Sequence, residues 1–227
     1  MEAEPMHTPP QKPESLAEKA YLALDELIVT LKLPPGSIWS EGSLSDLVKI
    51  GRTPVREAIK RLEGAYLIEV VPRHGVKISK IDLFEQMQVV EFRRGLEHLI
   101  SGCAAKRASP EEREQLIAMA HVIEKAGAER DLLTYLRKVF SANQYISACA
   151  RNPFASRAIA PLHGLSRRFY YKYHIELKNL KEVGILHANR ARAVALGDER
   201  EAEAASNRLM DCIGAYTKDI YVKKVGI

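Results

Sequence analysis

The residues best placed to do chemistry form a short basic run, Gly51-Arg-Thr-Pro-Val-Arg56, continued by Lys60 and Arg61. Between Lys49 and Lys80 stand eight basic side chains (Lys49, Arg52, Arg56, Lys60, Arg61, Arg73, Lys77, Lys80) against three acidic ones (Glu57, Glu63, Glu69), a local excess of five positive charges. A guanidinium bonds guanine O6 and N7 together, and lysines neutralise phosphates, so the chemistry implied is recognition of nucleic acid. A charged face on an isolated helix is more often simply solvated, and what surrounds this one must decide. Other chemistries lack their residues. Cys103, Cys149 and Cys212 are far apart with no C-x-x-C, which excludes a disulfide scaffold and a cysteine-based zinc site. There is no H-x-x-E-H, no G-x-S-x-G and no glycine-rich phosphate loop. His98, His121, His163 and His174 do not stand at helical i, i+4 spacing from His187. The chain is expected not to be an enzyme and to use no cofactor.

The elements that must position the basic run can be read from caps and periodicity. Residues 1–13 hold four of the eleven prolines and little apolar content, and are expected to be a disordered arm. Ser15 is a helix N-cap with Glu18 at the capping-box position, and Leu16, Ala20, Ala23, Leu24, Leu27, Ile28 and Leu31 trace one helical face up to Pro34-Pro35-Gly36. A short helix from Ser43 ends at Gly51. Thr53 then caps a third helix, with Pro54 in its first turn, Val55, Ala58, Ile59 and Leu62 facing inward and Arg52, Arg56, Lys60 and Arg61 outward. The period changes to alternation at residues 67–71 and 76–78, joined by Pro72-Arg-His-Gly75. Three helices and a hairpin in this order predict a winged helix-turn-helix over 14–80. Arg52, Thr53 and Arg56 then lie where a recognition helix enters the major groove, with Thr53 sharing its hydroxyl between cap and phosphate. Arg73, His74 and Gly75 form the wing tip, where glycine permits close approach to DNA, and Lys77 follows on the returning strand.

Beyond Asp82 only helical signals occur. Asp82 with Glu85, Ser109-Pro110 with Glu112, and Asp198 with Glu201 are capping boxes, and Asp131 and Asn152-Pro153 are further starts. Helices are expected near 83–107, 110–128, 131–150, 153–178, 181–197 and 199–221. The fold class is therefore mainly α: a winged helix-turn-helix followed by an all-helical bundle over 81–227. The 227 residues, 46% hydrophobic with a net charge of +5, suffice for this core. The longest uncharged run, 12 residues between Lys138 and Arg151, is too short to span a membrane. Met1-Glu-Ala-Glu-Pro shows no secretory signal, so a cytoplasmic protein is expected.

The string from Gly51 to Glu63, with Pro35-Gly36 before it and Pro72-Arg-His-Gly75 after, resembles the GntR family of bacterial transcription regulators over about residues 15–80. The resemblance implies a homodimer that binds an inverted-repeat operator in double-stranded DNA, and a C-terminal domain that binds a small effector. One position departs: Ser40-Glu-Gly-Ser-Leu44 carries Gly42 where the family has Arg or Lys, so one DNA contact is expected to be missing. The remainder resembles the FCD domain of the FadR-like branch over about residues 82–220, through Glu91-Phe-Arg93…Glu97, Asn152-Pro-Phe and His187…Gly197-Asp198…Ala202.

Many members of that branch hold a divalent metal with one Asp and three His. The matching positions here are Val139, Asn143, His187 and Leu209, two of them without any donor. No metal is expected. What the resemblance leaves is a pocket around Arg93, Asn143 and His187, with Arg190 one turn beyond His187, suited to a small carboxylate and given apolar contact by Val139 and Leu209. Arg93 has an alternative role, an ion pair with Glu97 or Glu91 on its own helix. Two further readings stand beside the effector-controlled regulator: a constitutive DNA binder or partner sensor with a degenerate pocket, and, remotely, a helical enzyme fused to a DNA-binding domain.

Overall fold

The computed structural model describes residues 15–174 and 180–226; the expected arm over 1–13 lies outside them. In chain order the elements are α1 (Leu16–Val29), β1 (Ile38–Trp39), α2 (Glu41–Val48), α3 (Arg52–Gly64), β2 (Ile68–Val71), β3 (Gly75–Ile78), α4 (Leu83–Arg107), α5 (Pro110–Ala128), α6 (Leu132–Cys149), α7 (Pro153–Lys172), α8 (Leu180–Leu196) and α9 (Glu199–Val225). A small N-terminal unit with a three-stranded sheet thus leads into a six-helix bundle.

The N-terminal unit is the winged helix-turn-helix that its apolar spacing dictates. Ala20, Leu24 and Ile28 of α1 meet Val55, Ala58, Ile59 and Leu62 of α3 in one core, closed below by Leu67, Val76 and Ile78. The sheet runs β1-β3-β2, all antiparallel, with Val71 opposite Gly75 at the hairpin. The two-residue β1 is an addition to the expected hairpin. It explains Gly75: at φ +108° an added Cβ would lie 2.4 Å from the Trp39 carbonyl oxygen. Strand-to-strand approach within the wing by itself requires this glycine.

Caps set most helix starts. Ser109 and Glu112 form a full reciprocal box, whereas Ser15, Asp82, Asp131, Asn152 and Asp198 each accept a single backbone N–H without the returning bond. Two expected starts are corrected. The second helix is capped by Ser40, with Ser43 completing the box, so it begins at Glu41. The third begins at Arg52 behind Gly51, and no side chain caps it. Thr53 is therefore inside the first turn and its hydroxyl is not divided. The expected helix over 153–178 ends at Lys172, its last residues lying outside those described, and the expected helix over 199–221 continues to Val225.

In the bundle α5 packs chiefly on α8 and α4 on α9. The α5–α8 approach is close because Gly127 and Gly184 meet: an added Cβ on Gly127 would stand 3.0 Å from the Leu180 carbonyl. The principal core cluster is continuous from Ala20 and Leu67 through Ile100, Leu116 and Leu162. The two units are joined further by α7, on which Leu67 packs at Gly164 and from which Arg168 donates to the carbonyls of Ser79 (2.8 Å) and Lys80 (3.0 Å). Among the described residues no helix is long and apolar enough to cross a membrane.

Candidate nucleic-acid interface and central cavity

The apolar stripe of α3 faces α1, which leaves Arg52, Thr53, Arg56 and Lys60 exposed on the opposite side. Arg56 Nε donates to Glu41 Oε2 at 2.5 Å, a pair open to water that a phosphate or base can replace at little cost. Gly42 lies against Arg52: an added Cβ would be 3.7 Å from Arg52 Nη2, so the missing basic residue leaves room around that guanidinium. At the wing, Arg73 (φ +65°) and His74 are exposed, His74 Nδ1 lying 3.0 Å from the Pro72 carbonyl oxygen. Lys77 is half-buried and pairs with Glu69 at 3.0 Å. Arg61 differs from its expected neighbours. It pairs with Glu18 at 2.6 Å and lies over the Tyr21 ring at 4.0 Å, so it braces α1 instead of joining the basic face.

The second constellation is inside the bundle. A cavity of about 50 Å³ is walled by Arg93 of α4, Tyr135, Val139 and Asn143 of α6, His163, Arg167 and Tyr170 of α7, His187 of α8, and Cys212, Ile213 and Tyr216 of α9. Three of the four expected pocket residues, Arg93, Asn143 and His187, meet here. Arg190 stands one layer behind: its Nη1 donates to Asn143 Oδ1 at 3.0 Å and its Nε to Ser101 Oγ at 2.9 Å. Leu209 does not line the cavity; it packs with Val90, Met210 and Ile213. Val139 does supply apolar wall.

The organiser of this region is Glu97, which sequence reasoning reached only as a partner for Arg93. Its Oε1 accepts from Arg93 Nη2 at 2.9 Å and lies 3.0 Å from His163 Nε2, while its Oε2 pairs with Arg190 Nη2 at 2.5 Å. All four side chains are buried. Burial alone would raise the Glu97 carboxyl, but Arg190, the His163 hydrogen bond and Arg93 outweigh it and hold it well below the usual carboxylate range. Burial pushes His187 down to about 3, and the guanidinium groups of Arg190 and Arg93 add to the effect. His163 is also lowered, burial outweighing its bond to Glu97. Both histidines are therefore neutral near pH 7. With Arg167 paired to Asp25 at 2.8 Å, the ion pairs among the described residues set three guanidinium groups against two carboxylates, an excess of one positive charge. Arg93 thus has both roles held open for it, ion pair and cavity wall.

A divalent cation does not fit these residues. Val139 and Leu209 have no donor, Asn143 Oδ1 is taken by Arg190, and the guanidinium groups of Arg190 and Arg93 beside His187 repel a cation. Among the described residues no group of three or more His, Cys, Asp or Glu is arranged to hold a metal. The positive charge at this place belongs to arginines.

Comparison with known proteins agrees with this architecture. Residues 16–78 match the family described as bacterial regulatory proteins, gntR family, and residues 88–211, more than half of the chain, match the FCD domain. A helix-turn-helix-type transcriptional regulator of Streptomyces ambofaciens is 39% identical over 62 residues, 27% of this chain and 26% of that protein. The chain thus spans about a quarter of that relative's length. A fatty acid metabolism regulator protein of Yersinia enterocolitica is 24% identical over 231 residues, 92% of this chain and 89% of that one. The structure of E. coli McbR/YncC shares the fold, with a TM-score of 0.77 at 18% identity over 91% of this chain and 99% of that one. The chain therefore belongs to the GntR family of bacterial regulatory proteins, in the branch that carries an FCD domain.

Proposed function

We propose that this regulator binds an inverted-repeat operator as a cytoplasmic homodimer through α3 and the wing, and that a small, partly apolar carboxylate in the central cavity controls its operator affinity. The observation that carries the effector reading is the excess positive charge beside a mostly apolar cavity with a neutral His187. A buried charge of this kind calls for an anion, and a guanidinium is the group best shaped for a carboxylate. Arg93 keeps Nε without a hydrogen-bond partner, available for that role. Each charge-assisted bond contributes about 1.5–3 kcal/mol, enough with apolar contact for micromolar binding. The same charge disfavours the reading of a degenerate pocket, because a disused site would gain by losing it.

Calorimetric titration with straight-chain carboxylates from acetate to octanoate, with benzoate, and with the matching amides tests this. At least one acid is expected to bind wild type and shift operator affinity in fluorescence anisotropy, its amide binding at least tenfold more weakly. Val139→Phe fills the cavity and should abolish both effects. Amides that bind as well as acids, or a folded Val139→Phe that binds normally, would refute the assignment.

The dimer has a matching surface. Phe84, Phe92 and Leu99 of α4 are 58%, 55% and 44% exposed and recur at seven- and eight-residue spacing around Gly95. Such a stripe favours self-association. Phe92→Glu is expected to yield a folded monomer in sedimentation equilibrium; an unaltered dimer would move the interface elsewhere.

A further inference from the structure

Helix α7 carries three polar groups toward different partners. His163 bonds Glu97 inside the bundle, and Arg168 grips the chain between the two units. Arg167, one turn after His163, does two things at once. It lines the central cavity, and its Nη1 donates to Asp25 Oδ2 of α1 at 2.8 Å. Both members of that pair are buried, with side chains 8% and 4% exposed. Its guanidinium also lies over the Phe140 ring, 4.1 Å from the centroid. No other cavity-lining side chain makes an ion pair with the N-terminal unit among the described residues.

The pair is incompletely made. Asp25 Oδ1 and Arg167 Nε are buried and without hydrogen-bond partners, so one bond holds two charges that can exchange two. Buried groups left unsatisfied cost free energy that a better partner recovers. Burial, opposed by Arg167, still raises the Asp25 carboxyl, so Asp25 is a carboxylate held at a disadvantage. A ligand carboxylate can offer Arg167 two oxygens where Asp25 offers one. The neighbouring groove between the units, lined by Tyr21, Arg61, Phe140 and Gln144, leaves space beside the α1–α7 contact.

We propose that Arg167 is a second anchor for the ligand anion and the latch of the DNA-binding unit: an anion in the cavity competes with Asp25 for the guanidinium and releases α1 from α7. This rests on the effector reading above. It gives the cavity a physical route to α1, and through the α1–α3 core to the recognition helix. The coupling cannot exceed the difference between the ligand's affinities for the latched and released forms.

The test uses full-length wild type, Asp25→Asn and Arg167→Gln, with benzoate and octanoate as probes and near-ultraviolet circular dichroism as the folding check. Asp25→Asn keeps a hydrogen-bond acceptor but removes the competing charge. It is expected to bind the carboxylate at least fivefold more tightly. Its operator affinity should already have moved in the direction in which saturating carboxylate moves wild type, with little further response. Arg167→Gln should bind the carboxylate at least tenfold more weakly. If Asp25→Asn binds and responds as wild type does, while Val139→Phe abolishes binding, the latch is refuted and the effector reading stands. If neither probe binds wild type or Asp25→Asn, both fall together. Asp25→Asn is the conservative change, so a misfolded Arg167→Gln leaves the competition measurable.

Discussion

Replacing Glu97 by Gln is expected to destabilise the bundle by about 3–5 kcal/mol, because it strips the common partner from Arg93 and Arg190 in a fully buried site. An amide retains hydrogen bonds but no charge, so the repulsion between the two guanidinium groups goes unanswered. One acceptor oxygen then remains for Arg93, Arg190 and His163, which share two in Glu97. Urea unfolding followed by circular dichroism measures the loss. Removing charge on both sides, as in Glu97→Gln with Arg190→Gln, should cost less than the two single changes added together, since contacting members of one network are not additive. A loss below about 1 kcal/mol for Glu97→Gln would mean that water reaches the cluster.

Operator binding should collapse in Arg52→Ala/Arg56→Ala. Where each arginine makes a paired contact to guanine, each substitution costs about 1–3 kcal/mol on the cognate site. Both side chains are exposed and outside the α1–α3 core, so the variant should fold as wild type. Lys77→Ala should behave differently, weakening all sequences alike and lowering the salt slope by about one. Fluorescence anisotropy at several salt concentrations separates the two effects. A folded double variant with unchanged operator affinity would remove α3 as the reading element.

Much of this architecture was legible because local chemistry decides it. Cap residues, proline and glycine mark the starts of α1, α3, α5 and α9, although α1 stops at Val29, short of Leu31 at φ +59°, and the change from helical to alternating period marks the wing. The two-residue β1 was not legible, since Ile38-Trp39 is too short to alternate and owes its conformation to pairing with β3. Thr53 was misplaced as a cap because a threonine before Pro54 satisfies the local rule, while the helix in fact gains two more residues, Arg52 and Thr53, behind Gly51. In the cavity the resemblance brought Arg93, Asn143 and His187 together, yet not His163 or Arg167. Their partners, Glu97 and Asp25, stand 66 and 142 positions away, and no periodicity reports such a pairing. A sharper signal existed in part: His163 and Arg167 stand at i, i+4, which puts two polar groups on one face of a helix that also carries apolar core. Leu209 was assigned to the pocket by position alone, and the turn of α9 carries it into the apolar layer beside.

Arg168 holds the carbonyls of Ser79 and Lys80, the segment where one unit passes into the other. A reading head on a slack tether accepts half-sites set a little closer or further apart. A head bolted at its root does not, because one inserted base pair shifts a half-site by about 3.4 Å along the axis and turns it by roughly a tenth of a revolution. In the proposed dimer the joint therefore acts as a ruler. Discrimination among operators is divided between the bases that α3 touches and the distance that Arg168 keeps, and a loosened joint would broaden the accepted spacings before it erased any base contact.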